Sequence, residues 1–487
     1  MGNRPNILFI LTDDQGAWAM RCAGNGDIHT PNLDRLAGEG TRFDNFFCAS
    51  PVCSPARASI LTGRIPSQHG VHDWIRRGNL DRRDLGEYAS HRYFRDENEP
   101  VQYLDGMTTY TDLLAEHGYH CALSGKWHLG DSIHPQHGFT RWYTIGRGGC
   151  LYTEADMIDE GKLVFQEGYV TDLITNRALR YLEELSQEDA PFYLSVHYTA
   201  PHDPWEEDQH PAEFYDLYRD CACTATPDLP IHPRQIGTAP SGVGPERLRL
   251  LRGYYTAITA MDAGVGRLLD KLEALGLADD TLVIFNGDNG MNMGHHGIWG
   301  KGNGTFPFNM YDTAVKVPFL ARWPGHIPAG RVTQSLCSQY DLIQTFNDLL
   351  GLNASLPEDL PGSSFASVLL GGEREDGRVV VFDEYGPSRM IRTRRWKYIH
   401  RVPYGPHELY DLEADPEEVH DLAGKPEYAQ VEAQLRDELF RWFCRYADPA
   451  VDGSREAVTG FGQLSRPGIY SQGQAVYAQN PKYQNKE

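Results

Sequence analysis

"NILFILTDD" (6–14) is a short apolar run closed by two aspartates, and "TLVIFNGDNG" (281–290) repeats the design, ending at Asp288 and Asn289. Neither run is long enough to cross a membrane, and the first reads as a buried strand rather than a leader. A strand that is apolar on both faces belongs in a parallel sheet covered on both sides. In such sheets ligands gather beyond the carboxyl ends of the strands, which is where both polar pairs stand.

Outward from these runs, strand-like and helical patterns alternate through the first three quarters of the chain. "TPNLDRLAGEG" is a Pro-opened, Gly-closed helix, and "TYTDLLAEHGY" (109–119) precedes the strand pattern "HCALSGKWH" (120–128). "DLITNRALRYLEEL" (172–185) leads to "PFYLSVHY" (191–198), and the long helical pattern 248–276 leads to the strand at 281. This predicts an α/β sandwich around a largely parallel sheet. Near residue 375 the alternation weakens. Strand patterns followed by the helix 428–447 predict a smaller antiparallel sheet with one helix. We therefore divide the chain into a catalytic domain (1–375), an antiparallel-sheet subdomain (376–450) and an irregular tail (451–487). Segments 78–105 and 203–247 carry little regular pattern, and loops of that length in a compact domain tend to be functional or disordered.

The 487 residues carry 45 Lys and Arg against 67 Asp and Glu, a formal net charge of −22. No basic tract offers itself to a phosphate backbone, so nucleic-acid binding is not expected. A small anionic group held in one locally basic pocket remains compatible. The nine cysteines are odd in number, sparse and without paired CxxC units, as in a reduced interior. With no leader seen, the expected location is cytoplasmic; a secreted or periplasmic one stays open if a leader has been removed.

Two strand-end pairs of oxygen ligands converging on one point would repel unless a cation relieved them. Oxygen donors alone favour Ca²⁺ or Mg²⁺ over zinc. Either pair taken singly is equally a turn former; together they point to metal. "PVCSPARASILTGR" (51–64) places Cys53 just before a helix started by Pro55, where free N–H groups favour an anion. A lone cysteine is usually inert core, and a thiolate is a poor match for a hard-cation site. A different nucleophile would suit it better.

"CSPARASILTG" (53–63) resembles the signature of the type I, formylglycine-dependent sulfatases of the alkaline-phosphatase-like superfamily: Cys-x-Pro-x-Arg followed by Thr-Gly. Ala56 stands where many members have serine; Cys53, Pro55 and Arg57 are all present. Further matches follow in order: Asp13 and Asp14, Lys126 and His128 in "SGKWHLG", His202 in "YTAPHDPW", Asp288 and Asn289 in "GDNG", and Lys301 in "GIWGKGNG". The resemblance implies an α/β/α sandwich with a large mixed, mostly parallel sheet. It also implies that Cys53 is oxidised to Cα-formylglycine by a formylglycine-generating enzyme, and that the hydrated aldehyde attacks sulfur. Ca²⁺, less readily Mg²⁺, would be held by Asp13, Asp14, Asp288, Asn289 and an oxygen of residue 53. Arg57 would pair with the metal-site carboxylates and the formylglycine hydroxyl, and Lys126 and Lys301 would hold sulfate oxygens. His202 would protonate the leaving oxygen, and His128 would assist deprotonation of the diol.

The resemblance implies a sulfuric ester hydrolase acting on a sulfated carbohydrate or a small sulfate ester. Two alternatives stay open: a phosphonate monoester or phosphodiester hydrolase of the same fold, and a non-catalytic protein that binds sulfated glycans. For specificity the candidates are Trp74, Arg76 and Arg77 in "VHDWIRRGN" (71–79), and His296 and Trp299, with His295, in "MGHHGIWGKGNG". Tryptophan can stack on a sugar face and arginine can grip an acid group. Trp205 in "HDPWEED" reads as exposed.

Overall fold

In the computed structural model of the chain, which describes residues 4–91, 93–374, 377–383 and 387–479, the side chains of the strand Asn6–Thr12 alternate between two cores. Ile7, Phe9 and Leu11 join one core, and Leu8 and Ile10 join the other. The neighbouring strand Thr281–Gly287 divides in the same way, with Leu282 and Ile284 on the first side and Val283 and Phe285 on the second. That period of two, apolar on both faces, is what makes the runs read as continuous.

The sheet runs Arg331–Thr333, Thr41–Phe43, Phe319–Arg322, Thr281–Gly287, Asn6–Thr12, Phe192–His197, His120–Gly125, Phe139–Ile145, Glu154–Asp159, Lys162–Glu167. From Thr281–Gly287 to Phe139–Ile145 all neighbours are parallel. Antiparallel pairings flank that block on both sides. Helices cover both faces. Val170–Leu185 buries Ile174, Ala178 and Leu182 at a spacing of four against the second core, beside the long helix Pro245–Ala274. Cys53–Thr62, Tyr110–Glu116 and Leu342–Leu349 cover the first. The α/β reading with a mixed, mostly parallel sheet therefore holds.

The hairpin Glu154–Asp159/Lys162–Glu167 has no counterpart in the sequence reading. Its outer strand is half-exposed and edge-lying, so it lacks an apolar run. Glu160 and Gly161 both take positive φ (49° and 73°), the requirement of a tight two-residue hairpin turn.

Four antiparallel strands, Val379–Asp383, Ser388–Arg392, Trp396–Arg401 and Glu408–Asp411, form the smaller sheet. The helix Ala429–Tyr446 lays Leu435, Leu439, Trp442 and Phe443 into the same core that the first face of the large sheet uses. The boundary placed at 375/376 and residues 480–487 of the tail lie outside the described residues.

Segment 78–105 is ordered by one buried carboxylate. Glu97 accepts hydrogen bonds from the backbone N–H groups of Gly78, Asn79 and Leu80 and from Asn79 Nδ2. Among the described residues no helix is long and apolar enough to cross a membrane, and all nine cysteines are free.

Candidate active site

Register brings the two polar pairs together. Thr12 pairs with Gly287, so residues 13–14 and 288–289 leave the sheet side by side. The Asp288 N–H donates to Thr12 O (2.9 Å), and the Asp14 N–H donates to Asp288 Oδ1 (3.1 Å). Asn289 Nδ2 donates to Asp14 Oδ1 (2.8 Å). Lys126 leaves the end of a third strand, where Gly125 is required: a Cβ there would stand 1.9 Å from His197 O. His202 follows the fourth. Four adjacent parallel strands thus deliver their ends to one point, as in other open α/β sheets.

The helix Cys53–Thr62 aims its first turn at that point, and all ten of its residues are buried. It starts at Cys53 itself, with Val52 as the extended cap, rather than at Pro55 as the sequence reading has it. The Thr-Gly of the signature closes it. Thr62 Oγ1 donates to Ala58 O, and Gly63 takes the left-handed conformation (φ 67°) where a Cβ would meet Ile343 at 2.3 Å.

At the centre, Cys53 Sγ lies 3.1 Å from Asp13 Oδ1 and 3.7 Å from Asp14 Oδ1. Lys126 Nζ contacts Asp13 Oδ2. Lys301 Nζ lies 2.6 Å from Asp14 Oδ1 and 3.0 Å from Cys53 Sγ. Arg57 meets Asp288 Oδ2 through Nε and Nη2, both at 3.0 Å, and donates from Nη1 to Lys126 O. Burial and the neighbouring Asp13 push the Cys53 thiol well above its ordinary range, against Lys126 and Lys301. The thiol as it stands is therefore protonated, and the helix terminus does not make it a thiolate.

Oxygens of Asp13, Asp14 and Asp288 and the sulfur of Cys53 lie within 4.8 Å of one another. Burial first, then Asp13, pushes Asp288 up to about 7 in spite of Arg57. Asn289 Oδ1 is buried without a hydrogen-bond partner among the described residues. Clustered buried carboxylates with an unused amide oxygen fit a hard divalent cation. Asp14 and His128 hold left-handed backbone (φ 61° and 58°), strain of the kind that gathers at functional sites.

The two histidines differ in their electrostatics. For His202 burial opposes the charge, but Asp203, Asp14 and Asp13 outweigh it, so its pKa is raised. Its Nδ1 is 2.8 Å from Asp203 O, and its Nε2 is 3.7 Å from Asp14 Oδ2. For His128, burial and then Lys126 and Arg57 depress the pKa well below the ordinary value. Its Nε2 sits 3.0 Å from Ile75 O; a carbonyl only accepts, so Nε2 carries the proton and Nδ1 keeps its lone pair.

A cavity of about 470 Å³ opens over Cys53, lined in part by Trp74, Ile75, Arg76, Tyr93, His128 and Arg147. The C-terminal tail builds its wall from behind. Gln463, wholly buried, accepts at Oε1 from the N–H groups of His72 and Asp73 and donates from Nε2 to Gly70 O and Ser465 O. Its backbone pairs with Trp74 and Arg76. Of the five specificity candidates, Trp74 and Arg76 line the cavity; Arg76 also pairs with Asp96 at 2.7 Å. The other three stand elsewhere. Arg77 is turned to the tail, donating to Leu464 O. His296 stacks on Tyr311 at 3.7 Å. Trp299 is 1% exposed and packs where Gly242 leaves it room. Trp205, read as exposed, is buried and donates to Pro201 O.

Sequence reasoning missed Tyr93, Asp96, Arg147, Gly148 and Gly149 of the cavity. The repeated glycines of "GRGGC" are the one usable signal: a Cβ at Gly148 would stand 2.1 Å from His128 Nε2.

The family model described as Sulfatase matches residues 5–352, and that of the N-sulphoglucosamine sulphohydrolase C-terminal region matches 294–443. An N-acetylglucosamine-6-O-sulfatase of Bacteroides thetaiotaomicron is 28% identical over 92% of this chain and 88% of its own length. The human N-acetylgalactosamine-6-sulfatase is 30% identical over 78% of this chain and 68% of its own. A solved structure of a protein in complex with its substrate, D-glucosamine-2-N,6-O-disulfate, is 25% identical with a TM-score of 0.75, covering 93% of this chain and all of that one. A phosphonate monoester hydrolase of Agrobacterium radiobacter, 22% identical with a TM-score of 0.68 over 91% of this chain and 96% of its own, shares the fold.

Proposed function

This chain belongs to the sulfatase family, and from that premise we propose that it hydrolyses a sulfate ester of a carbohydrate, using formylglycine at position 53 and Ca²⁺. Sulfatases as a family use formylglycine and a divalent metal. One observation carries the reading for this chain: Asp13, Asp14, Asp288, Cys53, Lys126 and Lys301 meet at a single buried point. A pure binding protein has no need of that set. The carbohydrate is suggested by most of the relatives, N-acetylglucosamine-6-O-, N-acetylgalactosamine-6- and ulvan-active sulfatases, beside which stands a choline-sulfatase.

Asp13, Asp14, Asp288 and Asn289 would hold the metal, which with the formylglycine supplies an acidified nucleophile and a charge to bind sulfate. Lys126 and Lys301 remain cationic, since burial is outweighed by Asp13 for the first and Asp14 for the second. They stabilise the charge that gathers on the sulfate oxygens. Arg57 fixes Asp288 and the Lys126 backbone, so it holds a metal-site carboxylate and a sulfate-holding lysine together. His202, raised in pKa, delivers a proton to the departing sugar oxygen; His128, neutral and weakly basic, offers the lone pair of Nδ1.

The test is turnover by protein made with a formylglycine-generating enzyme and loaded with calcium. An aryl sulfate and the 6-sulfates of N-acetylglucosamine and N-acetylgalactosamine are expected to release sulfate faster than an aryl phosphodiester or phosphonate releases product. Preference for the phosphorus esters would favour the phosphonate hydrolase reading. Glycan binding without turnover in both the native protein and Cys53→Ala would favour a binding protein.

A further inference from the structure

A second hollow of about 520 Å³ adjoins the cavity over Cys53, and the two share His202, Lys301 and Asn303. The reacting groups thus lie at a junction, not at the bottom of one blind pocket. Each lobe falls in the size range that encloses a ligand several rings large. Only the first lobe touches Cys53, so the sulfated ring belongs there. His202, which protonates the departing oxygen, stands where the lobes meet. A unit linked to a ring seated there would reach the second lobe past His202 and Asn303, which the two lobes share.

The chemistry of the second lobe restricts that unit. Among its described lining residues each cation already faces a carboxylate. Lys301 lies 2.6 Å from Asp14, and Arg249 lies 2.6 Å from Glu246 and 3.2 Å from Glu206. His202 lies 3.1 Å from Asp203. The remaining wall is hydroxyl and apolar, as at Thr238, Ala239 and Met291. With Asp14, His202 and Lys301 committed to the reaction, the lobe keeps Asp203 and Glu206 against Arg249 alone, so a carboxylated or sulfated unit would meet net negative charge there. A neutral sugar offers hydroxyls to those carboxylates and a ring face to the apolar wall.

We propose that the second lobe is a subsite for an uncharged sugar joined to the sulfated one, so that the substrate is an oligosaccharide whose neighbouring unit is neutral. This rests on the sulfatase reading. The probes are an aryl sulfate, a 6-sulfated N-acetylhexosamine, and two disaccharides linking that hexosamine to a neutral hexose or to a uronic acid. We expect kcat/KM for the neutral disaccharide to exceed that for the monosaccharide about ten-fold. The uronate disaccharide should fall several-fold below the neutral one, by a margin that shrinks with added salt. Ala239→Trp, which fills the lobe, should bring the neutral disaccharide down to the monosaccharide's value and leave aryl sulfate turnover unchanged. Glu206→Gln should narrow the gap between the two disaccharides. Equal kcat/KM for monosaccharide and neutral disaccharide, or a preference for the uronate, overturns the subsite while aryl sulfate turnover persists. Loss of aryl sulfate turnover in the native protein overturns the sulfatase reading itself, and the subsite with it.

Discussion

The floor of the cavity and its wall meet at Cys53 but are held by opposite means. Strand register places the floor: the Thr12–Gly287 pairing alone decides that Asp13 and Asp14 stand beside Asp288 and Asn289. The wall at 72–77 has no such support. It is held by hydrogen bonds from a tail nearly four hundred residues away in sequence, centred on Gln463. The floor is fixed by the sheet that forms the core, whereas in the wall only Ile75 joins that core, and its neighbours Trp74 and Arg76 can change without disturbing it. Substitutions in the floor should therefore lower kcat for every sulfate ester, and substitutions in the wall should act on sugar substrates through KM.

The largest effect is expected at Lys126. Lys126→Met leaves Asp13 buried without its partner, which costs roughly 3–5 kcal/mol in the metal-free protein, readable by urea denaturation. It should also lower kcat by roughly 10²–10³-fold on an aryl sulfate and on a sugar sulfate alike. Next is Gly148→Ala, whose new Cβ displaces the His128 imidazole. A displacement of that order costs about 10²-fold in kcat, with the Tm little changed.

Metal binding gives a pH-dependent prediction. Asp288 is pushed up to about 7, by burial first and by Asp13 second, against Arg57. A carboxyl raised in the fold adds stability while protonated, and that contribution is lost as pH rises through about 7. Asp13 and Asp14 are shifted the other way, below the ordinary carboxylate range, outside this window. Calcium would bring the positive charge that lets Asp288 ionise beside Asp13 and Asp14, and so competes with its proton. The Tm rise on adding calcium, followed by differential scanning fluorimetry, should therefore be larger at about pH 8 than at about pH 6. A chelator should abolish it at both. The smallest effect is expected at Gln463. Gln463→Ala removes buried hydrogen bonds worth about 1–3 kcal/mol and loosens Trp74 and Arg76. KM for a sugar sulfate should rise several-fold while kcat on an aryl sulfate holds; an equal loss on both would erase the distinction between floor and wall.

That distinction also explains what was legible in the sequence. Asp13, Asp14, Lys126, His202, Asp288 and Asn289 each close a periodic apolar run or sit a few residues beyond one, and Cys53 opens a signature helix. The sheet that gives those runs their period also carries them to one point, so local pattern and site coincide. The wall has no period. Trp74 and Arg76, picked by residue type alone, line the cavity, whereas Arg77, His296 and Trp299, picked in the same way, stand elsewhere, directed by Leu464, Tyr311 and Gly242. Tyr93 left no signal because the loop that carries it is shaped by the buried Glu97, and Arg147, marked only by the glycines around it, is directed by Asp156.

The central claim is that Cys53 is the precursor of the nucleophile and not an inert core thiol. Mass spectrometry of the tryptic peptide bearing Cys53, from protein produced with a formylglycine-generating enzyme, tests it most directly. We predict a mass corresponding to conversion of the CH₂SH side chain to CHO, together with sulfate release from an aryl sulfate by the same sample. An unmodified thiol, in protein that nonetheless turns over the sulfate ester, would contradict the claim.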